Sequence, residues 1–315
     1  MKNQLNLNKI SDESVVILFG WNRPELIAKR LQEMFVIAPK HLFVSIDFYD
    51  SETTHVFRRI SDQYIREWPP GSNIKFIFHK ENLGLVRNVT ETIADQFLKY
   101  KNVIVIEDDV SVSRVFLDNL YLGLSHLENS REFLSVGSFS PLKLPKGIRT
   151  GNYFRSSRYF SCWGWATNRE SWSIYDSNIK SENFVDDLKN SRTWNELSDF
   201  QKKVWISRFE RVAMNPYHTW DIQVQYASFK YEKKHLLPLF RYSENEGFSD
   251  SRSTHTTEKR PWWMGKPNFS ENPIKGLVSS SFINMLFDSI DSETLIGDRQ
   301  YLYRVYKRLK IKSNF

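Results

Sequence analysis

The sequence predicts an α/β fold, a mostly parallel sheet flanked by helices. Three observations carry this expectation. Short apolar runs alternate with helical stretches over the first 110 residues, the pattern of strand–helix–strand units in a parallel sheet. Three of those runs end in polar or acidic residues (Trp21-Asn22-Arg23, Asp47 and Glu107-Asp108-Asp109), and ligands bind beyond the carboxyl ends of such strands. At 315 residues the chain can bury one large core or two closely fused halves.

Val15-Val16-Ile17-Leu18-Phe19 is a continuous apolar run, expected of a strand buried on both faces. Asn22 and Pro24 mark a turn into a helix, with Pro24 near the first position, where its missing N–H costs nothing. Leu26, Ile27, Leu31, Met34 and Phe35 give that helix an apolar side. A second strand over 42–48 carries Asp47 at its end, and a helix over 53–68 stops at Pro69-Pro70-Gly71. Residues 74–78 read as a third strand and 86–100 as the next helix. Val103-Ile104-Val105-Ile106 is a fourth strand that runs into Glu107-Asp108-Asp109. Beyond it come a strand at 133–139, the aromatic stretch 160–167, a polar helical region, His218-Thr219-Trp220-Asp221, a strand at 236–240 and a polar loop over 245–255.

The net charge of +7 fits a phosphate-bearing partner, although scattered charges also serve solubility. Aromatic residues make up 15% of the chain, which serves either a bulky core or a site that stacks on flat rings. With Cys162 as the single cysteine there is no internal disulfide, as in a reducing compartment. The N-terminus lacks a signal-like apolar stretch, and no run reaches the roughly 18 apolar residues of a membrane span. The expected location is therefore cytoplasmic, with peripheral contact at the inner face of the membrane open to the tail. There Tyr301, Tyr303 and Tyr306 alternate with Arg304, Lys307, Arg308, Lys310 and Lys312, a composition suited to anionic lipid and equally to a solvated terminal helix.

Three consecutive acids after a strand repel one another unless something compensates them. Mg²⁺ or Mn²⁺ does so with one or two protein carboxylates, taking its other ligands from water and phosphate. The competing expectation places the acids at a helix N-terminus, where carboxylates are also favoured, since Ser113 reads as a helix start.

Taken in order, Val15 to Pro24, the strand ending in Asp47, Asn82-Leu83-Gly84-Leu85-Val86-Arg87-Asn88, the acidic triple, Trp163-Gly164-Trp165-Ala166-Thr167 and Trp220-Asp221 resemble GT-A glycosyltransferases. They are similar to bacterial family 2 enzymes and the N-acetylglucosaminyltransferase I group. The resemblance spans about residues 13–256. It implies a GT-A fold with a nucleotide-sugar-binding half at 1–137, an acceptor-binding half at 138–258 and a C-terminal extension at 259–315. It implies that Asn22, Arg23 and Asp47 line a base and ribose pocket and that Arg87 and Asn88 contact the donor. Asp109 becomes the direct metal ligand, with Glu107 and Asp108 facing ribose and sugar. It also implies Asp221 as catalytic base, although the family's base is the second of two adjacent acids and Ile222 follows here.

These residues predict a Mn²⁺- or Mg²⁺-dependent transfer of sugar from a nucleoside diphosphate donor, UDP-sugar foremost, to a glycan or lipid-linked acceptor, with inversion. Asp221 has an alternative as a helix cap. His255, in the polar loop, is either a further metal ligand or solvated. Trp163, Trp165 and Trp220 form either an acceptor platform or core. Two other functions remain open to the sequence. A nucleotidyltransferase normally has a Gly-rich basic loop after the first strand, whereas Phe19-Gly20-Trp21-Asn22-Arg23-Pro24 has one glycine. A non-catalytic carbohydrate- or nucleic-acid-binding module leaves the strand-end acids without a purpose, because carboxylates repel phosphate backbones, and no nucleic-acid partner is expected.

Overall fold

The apolar run 15–19 becomes β1 (Ser14–Gly20), buried along its whole length. In this computed structural model, which describes residues 2–141, 152–248, 250–252, 260 and 269–296, β1 follows helix α1 (Lys2–Asp12). It precedes α2 (Pro24–Ile37), β2 (His41–Ile46), α3 (Ser51–Glu67), β3 (Asn73–Phe78), α4 (Leu85–Phe97) and β4 (Asn102–Glu107). Local chemistry sets the helix ends. Pro24 opens α2, Ala38 closes it in the left-handed region at φ 51°, and the Asp50 side chain accepts from Thr53 N at 2.7 Å to start α3.

After β4 come β5 (Val110–Val112), α5 (Phe116–Asn129), β6 (Phe133–Gly137), β7 (Phe154–Ser157), β8 (Trp165–Asn168) and α6 (Arg169–Trp172). A helical region follows, comprising a 3-10 turn at Ser181–Asn183, α7 (Phe184–Leu188), α8 (Arg192–Asn195), α9 (Asp199–Met214) and α10 (Asp221–Lys230). The described chain then adds β9 (Lys234–Pro238), β10 (Ser243–Asn245) and α11 (Ser281–Ile296).

Eight strands form one sheet in the order β3-β2-β1-β4-β8-β6-β9-β7. The first four are parallel, β8 runs against both neighbours, β9 is parallel to β6 and β7 antiparallel to β9. The sheet is thus the mostly parallel, helix-flanked one expected. Successive residues on a strand face opposite ways, so β1 feeds two cores. Val16 and Leu18 pack with Ile27, Leu31 and Met34 of α2, while Val15, Ile17 and Phe19 pack with Val86, Val89 and Ile93 of α4. A third, aromatic cluster of Trp194, Trp205, Phe209 and Phe229 holds the helical region together.

One expectation is corrected here. Ser113 does not open a helix directly after the acids, because Val110–Val112 forms β5, paired antiparallel with β10, and α5 starts only at Phe116. The described part of the C-terminal extension packs onto the rest of the chain. Helix α11 lies against β7 and α9. There the fully buried Arg155 donates Nη2 to Asp291 Oδ1 at 2.8 Å, and Ser157 Oγ donates to Asp291 Oδ2 at 2.9 Å. The basic tail at 301–312 lies outside the described residues. Among the described residues no helix is long and apolar enough to cross a membrane.

Truncating Asp291 to Ala leaves the buried Arg155 guanidinium with only Asp288, 4.0 Å away, so Asp291→Ala is expected to cost about 3 kcal/mol in urea melts. His235 on β9 supplies a pH test. It is fully buried with Nδ1 2.8 Å from Ser135 Oγ, and burial depresses it to about 3 from an ordinary 6.5. The unfolded chain therefore takes the proton first. The stability from neutral His235 is complete above pH 6.5 and falls away as pH drops toward 3, by up to about 1.4 kcal/mol per pH unit. His235→Gln should show a correspondingly shallower acid slope in melts between pH 7 and 5.

Candidate functional site

The crossovers leave β1 in opposite directions, to β2 on one side and, after β3, to β4 on the other. That reversal opens a crevice at the carboxyl ends. Phe19 pairs in register with Glu107, so Asn22-Arg23 and Asp108-Asp109 leave the sheet side by side. A cavity of about 730 Å³ opens there, and its wall includes Asn22, Asp47, Gly84, Asn88, Trp163 and Asp221.

Arg23 sits at the centre of the acidic cluster. Its Nε donates to Asp108 Oδ2 at 3.1 Å, and its Nη2 bonds Asp108 Oδ1 and, at 3.2 Å, Asp109 Oδ2. Nη1 is buried without a hydrogen-bond partner among the described residues. The β5–β10 ribbon anchors the other side of Asp109. Glu246 N donates to its carbonyl at 2.7 Å, and Asn245 Nδ2 donates to Oδ1 at 3.3 Å. Asp109 is therefore held by strand pairing, and the helix-terminus reading of the acids falls.

One guanidinium does not offset three carboxylates. Burial, then the charge of Asp109, pushes Asp108 up to about 7. Glu107 is raised well above its ordinary value by burial and then by Asp109, Asp108 and Asp221. Burial also raises Asp109, against the pull of Arg23. Such a cluster suits an added cation. Among the described residues no group of three or more His, Cys, Asp or Glu side chains can hold a metal by itself. The donor set therefore fits Mg²⁺ or Mn²⁺ taken on by one or two carboxylates, with water and phosphate completing the shell, and does not fit a closed protein cage.

The remaining predicted residues fall into distinct places. Asp47 is buried, and its carboxylate accepts from Phe48 N and Leu83 N at 2.9 Å each and from Gly84 N at 3.0 Å. It thereby organises the loop before α4, where Gly84 at φ 78°, ψ 160° occupies a region almost closed to side chains. Asn88 is buried at the cavity wall and accepts from Ser45 Oγ at 2.7 Å. Arg87, in contrast, is exposed and paired with Glu91 at 2.9 Å, on the outer side of α4 and off the cavity wall. Its expected donor contact is not in this geometry, since the helix turns residues 87 and 88 about 100° apart.

The tryptophan platform also needs correction. Trp165 is 0% exposed and Trp220 2%, stacked with centroids 5.3 Å apart, so Trp165 is core and off the cavity wall. Trp220 reaches the wall only from within that core. Trp163 alone is half-buried at the cavity, edge-on to Phe139 at 4.5 Å. Cys162 lines the cavity too, its thiol pushed up by burial and by the charges of Asp221 and Glu107. Asp221 is the first residue of α10, where no side-chain cap bond forms. Its Oδ1 accepts from Thr219 Oγ1 and, at 3.0 Å, from Ile222 N, while Oδ2 has no partner among the described residues. The cap expectation thus fails because the side chain folds back on its neighbours. His255 lies outside the described residues.

Sequence reading missed Asn245, Arg208 and Tyr159 on this cavity. Asn245 stood in the polar loop, but nothing local reveals its pairing with Val110 across the chain.

The Asp47 geometry yields a direct prediction. Asp47→Asn replaces a carboxylate acceptor by an amide that cannot serve all three N–H groups, with loss of charge-assisted bonds of about 1.5–3 kcal/mol. Amide exchange at Leu83 and Gly84 should accelerate while the sheet core keeps its protection.

No family model and no curated protein matches the chain. Among solved structures, glucosyl-3-phosphoglycerate synthase from Mycobacterium tuberculosis in complex with Mn²⁺, uridine-diphosphate and phosphoglyceric acid is similar over 55% of this chain and 62% of that one, at 12% identity and a TM-score of 0.35. The apo-form glycosyltransferase GlyE of Streptococcus pneumoniae TIGR4 matches over 71% and 45%, at 14% identity and 0.36. The 4-diphosphocytidyl-2C-methyl-D-erythritolsynthase of Anaerococcus prevotii matches over 73% and 88%, at 8% identity and 0.36. The chain thus spans less than two thirds of the first two, and likenesses this slight carry no argument about activity.

Proposed function

We propose that the chain is a metal-dependent glycosyltransferase that moves a sugar from a nucleoside diphosphate, UDP-sugar foremost, to a hydroxyl of a glycan or lipid-linked acceptor. The observation that carries this reading is the buried Asp108–Asp109 pair on Arg23 at the strand switch, in one cavity with Asp221. Bound through Asp109, with Asp108 beside it, Mn²⁺ or Mg²⁺ supplies Lewis-acid neutralisation of the leaving diphosphate.

The chain's own groups account for the rest. Arg23, on the cavity wall, holds Asp108 and Asp109 where the metal and diphosphate would sit. Asn22 and the Asp47-held loop wall the base and ribose region, and Glu107 faces the sugar. Asp221 accepts the acceptor hydroxyl's proton at Oδ2 as the hydroxyl oxygen bonds the anomeric carbon and the diphosphate departs, giving inversion. Residues 1–137 form the donor half, 138–258 the acceptor half and 259–315 the extension.

The test is thermal shift with UDP, GDP and dTDP, with and without Mn²⁺, followed by turnover of nucleotide sugars. Metal-dependent stabilisation by one nucleotide, lost in Asp109→Ala, is expected. Asp221→Asn should keep that stabilisation while transfer drops about 10²–10⁴-fold. Equal nucleotide binding after chelation, or release of pyrophosphate in place of a nucleoside diphosphate, overturns the reading.

A further inference from the structure

The same cavity carries charge that the proposed donor chemistry does not use. Arg208 and Arg211 both line it, one turn apart on α9. Arg208 donates Nη2 to the Leu295 carbonyl of α11 at 2.5 Å, and its guanidinium lies 4.9 Å from the Trp205 ring centroid. Those contacts fix the guanidinium's position, and the charge it senses most is Asp221. Neither arginine forms an ion pair among the described residues. Like charges at this helical spacing repel. Burial lowers Arg208, and the like charge of Arg211 adds to this while Asp221 opposes it.

The arginines and the acidic triple have different nearest charges, and Asp221 is the one that both sense. Arg23 answers to Asp108 and Asp109, whereas Arg208 senses Asp221 and Arg211. An anion drawn to the arginines therefore lies on the Asp221 side. A carboxylate or phosphate would be held there by two guanidinium forks, the side-chain chemistry best matched to such groups.

We infer that Arg208 and Arg211 form an anion-binding subsite for the acceptor, so that the acceptor is an anionic glycan bearing a phosphate or carboxylate. The inference deepens the transferase reading and rests on it. It implies that the acceptor is oriented by its charge, its hydroxyl being presented to Asp221 once the anion is seated between the arginines.

The experiment is calorimetric titration of the full chain with three probes, a hexose monophosphate, a hexuronic acid and the neutral hexose, with UDP–Mn²⁺ titrated in parallel. At least one anionic probe should bind more tightly than the neutral sugar and weaken with added salt. Binding by the monophosphate alone assigns phosphate, and by the uronate alone carboxylate. Arg211 is exposed, so Arg211→Ala should fold normally while weakening the anionic probe about tenfold or more, with UDP–Mn²⁺ affinity unchanged. Arg208→Lys, which retains a donor for Leu295, should weaken it as well. Equal binding of neutral and anionic sugars, an unchanged affinity in Arg211→Ala, or a loss of UDP–Mn²⁺ binding in that variant overturns the inference. Arginine-dependent anion binding without any response to UDP–Mn²⁺ in the unaltered protein would instead remove the donor reading and leave the anion subsite standing.

Discussion

Arg23 holds Asp108 and Asp109 where the strand order reverses, and the rest of the site is arranged around that contact. Buried carboxylates are tolerated only when paired or coordinated, and here Arg23, with Arg30 further off, faces three acids. The imbalance shows as raised carboxyl pKa values. In the proposed reading a divalent cation relieves it, with phosphate oxygens completing the donor set.

The second half of the chain supplies the surroundings that give this charge its geometry. The β5–β10 ribbon brings Asn245 to Asp109 across a long sequence separation. Helices α9 and α10 bring Arg208 and Asp221 to the far wall, and α11 locks that wall through Asp291. One cavity is thus lined both by strand-end acids and by side chains carried on helices.

Much of this was legible in the residues. The continuous run 15–19 reads as a strand buried on both faces, and the acids after 103–106 read as standing at a strand's end, with a helix N-terminus as the competing place. The tryptophans were not legible. Trp163 and Trp165 are two residues apart, yet one meets the cavity and the other is core. The bend at Gly164, with φ 76°, decides that difference. Arg87 and Asn88 are adjacent in the same motif, but the helical turn sends one to solvent and the other to the wall.

By itself, then, the sequence determined the period and order of the strands and the chemistry waiting at their carboxyl ends, because hydrophobic periodicity and residue type are local properties. Only the tertiary structure decided which of those residues share a cavity, which acid has an open oxygen and which cations lack a partner. Those outcomes depend on side-chain direction and on pairings such as Val110 with Asn245 and Arg155 with Asp291. Such pairings form when distant segments exclude water together, and no short window of sequence encodes that.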